Sequence, residues 1–316
     1  MNALVTGGAG FIGSAVARTL LEQGESVRVV DNFLTGNREH VPKGAELVSG
    51  DLRDPDEIER ACEDIEVVFH QAAVRSVPRS VDEPLLATEC NVLGTLNLLV
   101  AAQKAGVRRV VYASSSSVYG DRATIQREDM IPEPLSPYAA SKLAAEHYCG
   151  VWTHLHGLST VSLRYFNVFG PGQDPRSKYA NVFPAFTAAL VARTAPEVHW
   201  DGEQAKDFTY IDDVVRANLL AATAGPAADG EVINIGCGEP KSVNHVLRAV
   251  SDALGIWVDP VSRPKRAGDV RRTHADVAKA RSLLGWSPAA DWATAVGRTV
   301  DGIAAGLSAS RAADGS

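Results

Sequence analysis

Val5-Thr6-Gly7-Gly8-Ala9-Gly10-Phe11-Ile12-Gly13 is the stretch that decides the fold. A short apolar strand runs into glycines spaced Gly7-x-x-Gly10-x-x-Gly13, and a helical pattern opens directly behind them. Gly7 can take the positive-φ turn that leaves a strand, Gly10 lets the backbone approach a pyrophosphate, and Gly13 lets the helix pack close. The helix N-terminus, around Phe11 and Ile12, presents N–H groups and the positive end of a dipole, which together suit phosphate. Asp31 ends the next apolar run, 18 positions after Gly13. A carboxylate there accepts from adenosine ribose hydroxyls and repels a 2′-phosphate, so the pattern favours NAD over NADP. Asn32 beside it adds no phosphate-binding charge.

Working outward, short runs rich in Val and Ile alternate with segments of helical period through the first half, the signature of repeated βαβ units. Strands are expected near residues 3–6, 27–31, 46–48, 67–70, 110–114 and 160–163, with helices at 11–23, 55–62, 85–104 and 137–156. The strands are almost continuously apolar, as parallel strands covered on both faces should be. The expected fold class is therefore α/β, a doubly wound parallel Rossmann sheet with a smaller substrate domain. Ligands of such sheets sit at strand C-terminal ends. That rule adds Asp51 and Leu52, Ala72 and Ala73, Ser114 and Tyr165 to the candidate cofactor residues.

After Tyr165 the loop-like run Asn167-Val168-Phe169-Gly170-Pro171-Gly172-Gln173-Asp174-Pro175 breaks the pattern. We read 1–166 as the NAD-binding domain, with 207–235 rejoining it. Residues 167–206 and 236–306 form a sequence-discontinuous substrate domain, and 307–316 a flexible tail. Later helices are expected at 179–192, 212–224, 243–254 and 276–284.

The chain has 316 residues, 45% of them hydrophobic, and a net charge of −7. It can bury a large core, and its scattered Arg and Lys form no basic stripe for nucleic acid. Cys62, Cys90, Cys149 and Cys237 stand too far apart for zinc-type spacing, and nothing suggests disulfides, so no metal and a reducing compartment are expected. The N-terminus lacks a signal-peptide pattern and no apolar run approaches the ~20 residues that cross a bilayer. A soluble cytoplasmic protein is the expectation.

Ser136-Pro137-Tyr138-Ala139-Ala140-Ser141-Lys142 starts a helix, with Ser136 suited to the N-cap and Pro137 to the first helical position. Tyr138 and Lys142 then lie one turn apart on one face. A phenol of ordinary pKa, about 10, is a poor base at neutral pH, and bringing it to about 7 needs roughly 4 kcal/mol of phenolate stabilisation. A fixed ammonium and a positive nicotinamide ring could supply that. Upstream, Ser114-Ser115-Ser116-Ser117 leaves the fifth strand, where a hydroxyl can bond a reacting alcohol.

Together these elements resemble the extended short-chain dehydrogenase/reductase superfamily, and within it the nucleotide-sugar 4-epimerases. The resemblance covers roughly residues 2–286 and implies NAD as cofactor, a UDP-sugar as substrate, and a homodimer formed through helices 85–104 and 137–156. It implies Tyr138 as base, Lys142 as holder of the nicotinamide ribose and depressor of the tyrosine pKa, and Ser115 as aid to proton transfer, with Ser116 beside the sugar. It places Asn91 of Asn91-Val92-Leu93-Gly94-Thr95 at a structural and active-site position and Arg75 near cofactor phosphate. On the substrate side it implies Asn167, Asn181, Val182, Lys206 and Arg266 along the nucleotide and diphosphate, and Asp269 at the ribose. The family usually carries Arg where Lys206 stands, and lysine keeps the charge but not the bidentate geometry. Thr273, seven past Arg266, falls at the position that gates the sugar's C2 side, where a small residue leaves room for N-acetyl.

Sibling dehydratases carry an Asp-Glu pair where this chain has Ser116 and Ser117, and hydroxyls cannot give the acid/base help that loss of water needs. The resemblance therefore favours C4 epimerisation through a transient 4-keto sugar, leaning to UDP-GlcNAc/UDP-GalNAc, with UDP-Glc/UDP-Gal also open. A UDP-glucuronate 4-epimerase is a further alternative, set back because Asp174 would repel a uronate. An NAD-linked reductase and a non-catalytic NAD sensor remain as rivals; the sensor fits poorly with an intact Tyr138 and Lys142.

Overall fold

The computed structural model describes residues 1–176, 181–265 and 269–314. Its first half runs β1 (Asn2–Thr6), α1 (Phe11–Glu22), β2 (Ser26–Asp31), β3 (Glu46–Ser49), α2 (Pro55–Ala61) and β4 (Val67–His70). It continues with α3 (Val77–Asp82), α4 (Pro84–Thr88), α5 (Gly94–Lys104), β5 (Arg109–Ser115), α6 (Pro137–His156) and β6 (Ser159–Tyr165). The second half holds β7 (Val168–Phe169), α7 (Val182–Val191), β8 (Glu197–His199), β9 (Ala205–Lys206), β10 (Thr209–Tyr210) and α8 (Ile211–Thr223). Then follow β11 (Glu231–Ile235), β12 (Lys241–Ser242), α9 (Val243–Leu254), β13 (Val261–Arg263), α10 (Ala278–Leu284) and α11 (Trp292–Asp314).

Seven strands form one parallel sheet in the order β11-β6-β5-β4-β1-β2-β3. The order reverses between β1 and β4, which opens a crevice at their C-terminal ends. Successive residues of each strand serve opposite faces: Val5, Phe69 and Val111 join one buried cluster, while Leu4, Val68 and Val110 join the other. This two-sided burial explains why the strands read as unbroken apolar runs. Each fully buried side chain of this kind contributes about 1.5–3 kcal/mol.

Beyond β6 a smaller unit of α7, α9 and α11 packs together around an aromatic cluster, in which Phe169 stacks on Phe183 at 4.4 Å, with Trp292 tilted against Phe169 and edge-on to Phe183. The backbone stays helical through 307–314, where a loose tail was expected; Ala and Ser there cost a helix little. The expected start of a helix at Tyr179 lies outside the described residues, and α7 begins at Val182. The stretch 84–104 is helical throughout, with a π-turn over Glu89–Leu93 between α4 and α5. By length and composition alone it passes for a membrane-spanning helix, as buried core helices also do, and 44% of its apolar 18-residue window is buried inside the protein.

Candidate active site

The crevice between sheet and smaller unit is a cavity of about 480 Å³. Its floor is the glycine turn. Gly7 has φ +69°, and a Cβ there would stand 2.7 Å from the Ala72 backbone. A Cβ on Gly13 would stand 2.2 Å from the Gly7 carbonyl oxygen, so the first helical turn can close on the strand exit only without one. Helix α1 has Gly10 at its N-cap and no capping side chain, which leaves its first N–H groups for a ligand. Asp31 is 8% exposed and accepts from the backbone N–H groups of Ala9 at 2.9 Å and Phe33 at 2.8 Å. The carboxylate is thereby aimed along the cavity wall beside the glycine turn. A cradle that any Cβ would fill, an uncapped helix start and a fixed carboxylate fit a dinucleotide.

Phe11, Ile12, Asn32, Asp51, Leu52, Ala72, Ala73, Ser114 and Tyr165 line the same wall. Asp51 takes a two-point contact from Arg53 at 2.7 and 3.0 Å and a hydrogen bond from Asn32 at 2.8 Å. Hydrogen bonding to Arg53 holds its carboxyl well below the usual carboxylate range. Tyr165 donates to Asn218 at 2.9 Å, and Gln71 donates to the same oxygen at 3.0 Å.

Tyr138, Ser115, Ser116 and Arg75 also line the cavity. Ser136 caps α6 by accepting from Ala139 N–H at 3.1 Å, with Pro137 in the first turn. That cap places Tyr138 at the helix start, where the ring reaches the end of β5. Burial pushes the Tyr138 hydroxyl up; a hydrogen bond with Ser115 and the Arg75 guanidinium pull it back. Ser115 Oγ also accepts from Ser117 N–H at 3.2 Å and from the Ser117 hydroxyl at 2.9 Å.

Lys142 departs from the expected arrangement. It is 3% exposed, lies behind the cavity wall, and donates through Nζ to the Ala113 carbonyl at 2.8 Å. Its amine stands 4.9 Å from the centre of the Tyr112 ring, and burial pulls it down to about 7. The Arg75 guanidinium draws the Tyr138 hydroxyl down from the cavity side. Asn91 also lies off the wall. Its side chain clamps Val74 through N–H at 2.8 Å and carbonyl at 3.2 Å, and donates to Ser141 at 2.9 Å. It thus ties the loop after β4 to α6.

Asn167, Asn181, Lys206, Asp269 and Thr273 line the opposite end of the cavity. Thr273 accepts from Asp207 N–H at 2.9 Å and donates to Asn167 at 3.3 Å. Lys206 donates to the Val270 carbonyl at 2.6 Å, and burial lowers its amine to about 8. Val182 is the first residue of α7, capped by Asn181. Arg266 lies outside the described residues. Asp174 pairs with Arg176 at 3.2 Å and does not line the cavity, so repulsion of a uronate by this acid has no geometric basis.

Sequence reading missed Leu34, Thr35, Gly36, Gln71 and Gln173 in the wall. Gly36 carried a signal, since a glycine between Thr35 and Asn37 marks a turn; a Cβ there would stand 2.8 Å from that of Ala9. Gln71 directly follows β4, which the strand-end rule could have found.

The NAD dependent epimerase/dehydratase family matches residues 3–236. A UDP-glucose 4-epimerase of Mycolicibacterium smegmatis is 40% identical over 309 residues, covering 95% of this chain and 98% of that protein. The crystal structure of a Thermotoga maritima UDP-glucose 4-epimerase with UDP-glucose superposes with a TM-score of 0.93 at 39% identity, covering 97% and 100% of the two chains. A UDP-N-acetylglucosamine 4-epimerase from Methanobrevibacter ruminantium, in complex with UDP-N-acetylmuramic acid, gives 0.92 at 34% identity, covering 96% and 98%.

Proposed function

The chain belongs to the NAD dependent epimerase/dehydratase family, and from that premise we propose that it is an NAD-dependent UDP-sugar 4-epimerase acting on a UDP-hexose. The observation that carries the reading is Tyr138 facing Ser115 in the cavity that also holds the glycine turn and Asp31. NAD, when bound, supplies the acceptor for hydride from C4 and its return to the other face. The glycine turn and Phe11–Ile12 N–H groups hold its pyrophosphate, and Asp31 its adenosine ribose. Asp51, Leu52, Ala72, Ala73, Ser114 and Tyr165 complete the wall along it. Tyr138 takes the proton from the sugar's O4 and gives it back after the 4-keto sugar has turned, while Ser115 hydrogen-bonds that oxygen. Arg75 stabilises the phenolate from the cavity side and Lys142 from behind. Asn91 acts by holding the loop after β4.

Asn167, Asn181, Val182, Lys206 and Arg266 would hold the diphosphate and nucleotide, and Asp269 the uridine ribose. Ser116 and Ser117 offer hydroxyls at the sugar, which disfavours dehydration. Thr273 is small, and its hydroxyl is tied to Asp207 and Asn167. This supports room for an acetamido group, so UDP-GlcNAc/UDP-GalNAc is our first choice and UDP-Glc/UDP-Gal the second. The second is favoured by the names of the Mycolicibacterium and Thermotoga relatives. A cytoplasmic homodimer is part of the proposal: Leu85, Val151 and Leu155 expose apolar surface on the faces of α4 and α6. Light scattering in solution tests the dimer.

Separate incubation with UDP-Glc, UDP-GlcNAc and UDP-GlcA, followed by sugar analysis, tests the function. We expect epimer mixtures from UDP-Glc and UDP-GlcNAc, no net NADH, and complete loss with Tyr138→Phe; turnover of UDP-GlcA alone would assign the uronate reading, which Asp174, off the cavity, does not oppose. A Tyr138→Phe enzyme that still epimerises would overturn the mechanism.

A further inference from the structure

The end of β5 and the start of α6 interlock residue by residue. Ser115 faces the Tyr138 hydroxyl, the Ala113 carbonyl accepts from Lys142, and the Ser114 hydroxyl donates to Glu146 Oε1. Three consecutive strand residues thus engage Tyr138, Lys142 and Glu146, which stand at i, i+4 and i+8 on one helix face. The reaction as proposed uses the first two and leaves Glu146 without a role.

Glu146 is 4% exposed and takes both its oxygens to Arg164 of β6, at 2.9 and 2.8 Å. The Arg164 guanidinium lies over the Tyr119 ring at 4.7 Å, and the Tyr119 hydroxyl donates to Asn234 of β11 at 2.7 Å. A buried ion pair gives weak net stability over an apolar pair of the same volume. This one sits directly behind the reacting groups and joins β5, β6, β11 and α6.

We propose that Glu146 is a positioning residue of the epimerisation: through Ser114 it fixes where β5 presents Ser115 to Tyr138, and its carboxylate is the counter-charge behind Lys142. The inference rests on the reading of Tyr138 and Ser115 as the reacting groups. Among the described residues, the titratable groups acting on or facing Lys142 are Glu146 and Cys149 on α6, His70 on β4 and Tyr112 on β5. Burial pushes the Cys149 thiol up to about 12 and His70 down to about 3, and raises Tyr112. Among these groups Glu146 is the carboxylate, one helical turn past Lys142 on the same face of α6. Without that charge, Arg164 would also act uncompensated, and Lys142 would lose its proton at lower pH.

The test compares Glu146→Gln and Ser114→Ala with the parent enzyme, reading kcat and KM for the UDP-hexose across pH, retained NAD and melting temperature. For Glu146→Gln we expect kcat to fall about tenfold or more with KM little changed, and the alkaline limb of the kcat profile to move down by about half a pH unit or more. Ser114→Ala should lower kcat severalfold without moving that limb, because it breaks the link and leaves the charge. An unmoved limb in Glu146→Gln overturns the counter-charge role, and an unchanged kcat in Ser114→Ala overturns the positioning role. If Glu146→Gln does not fold, Ser114→Ala decides alone: lost kcat at an unchanged melting temperature supports the proposal. Tyr138→Phe run alongside separates the two levels. Activity surviving there refutes the reading of the site, whereas a dead Tyr138→Phe with a normal Glu146→Gln refutes Glu146 only.

Discussion

Lys142 and Ala113 are joined by a 2.8 Å hydrogen bond from the buried ammonium to the strand carbonyl, so the lysine binds β5 as well as standing behind the tyrosine. Burial lowers its pKa from 10.5 to about 7, which means the unfolded chain holds this proton at pH values where the folded chain has released it. Between those two values the unfolded state binds more protons, and stability therefore rises with pH. The penalty of burying the charge is fully present below about 7 and is gone above about 10.5.

Lys142→Met removes that dependence. Relative to the parent, the variant should be most favoured at or below neutral pH and lose its advantage steadily as the solution becomes alkaline, while activity is lost at every pH. Urea denaturation at a neutral and an alkaline pH measures the difference. A stability difference independent of pH would show that the amine is not desolvated.

The glycines offer a contrast within one chain. Gly13→Ala drives a Cβ to 2.2 Å from the Gly7 carbonyl, a backbone atom with no room to yield. We expect a loss of about 1–3 kcal/mol and a preparation depleted of NAD, read by absorbance after protein precipitation. Gly150→Ala, inside α6 with nothing within 4 Å of the new atom, should gain roughly 0.5–1 kcal/mol. A destabilised Gly150→Ala would mean that this helix face is covered in solution.

What the sequence made legible is what short-range chemistry decides. The glycine turn, Asp31 at its strand end and the Ser136-Pro137 helix start each carry their reason within a few residues, and the structure places all of them on one cavity. What Lys142, Asn91 and Glu146 bond to was hidden because their partners, Ala113, Val74 and Arg164, lie on other elements. Arg75, in the loop after β4, puts a cation near Tyr138 that helix spacing alone does not show. Helix α11 escaped notice because Gly297, Gly302 and Gly306 interrupt its apolar period. Gly302 has a tertiary reason that no local pattern carries, since a Cβ there would meet Pro171 at 2.5 Å.

Trp200 holds a left-handed backbone, φ +62°, where glycine would sit without strain. Its ring has Lys265 at 4.2 Å and Arg271 at 4.8 Å from its centre. Arg271 also reaches Asp201 at 2.8 and 2.9 Å, and its N–H donates to Asp121 at 2.9 Å. These contacts pin the segment that carries Asp269 and Val270 into the cavity wall. The left-handed conformation costs an L-residue about 1–2 kcal/mol, and each exposed cation–π contact returns about 0.5–1 kcal/mol. Trp200→Gly loses the contacts but relieves the backbone, whereas Trp200→Ala loses the contacts and keeps the strain. Alanine should therefore be less stable than glycine by about 1 kcal/mol, the reverse of their order inside a helix, and both should raise KM for the UDP-sugar with kcat little changed. Denaturant midpoints and steady-state kinetics on the two variants decide it: equal stabilities would mean that the backbone relaxes once the ring is gone, and an unchanged KM that the wall stands without the clamp.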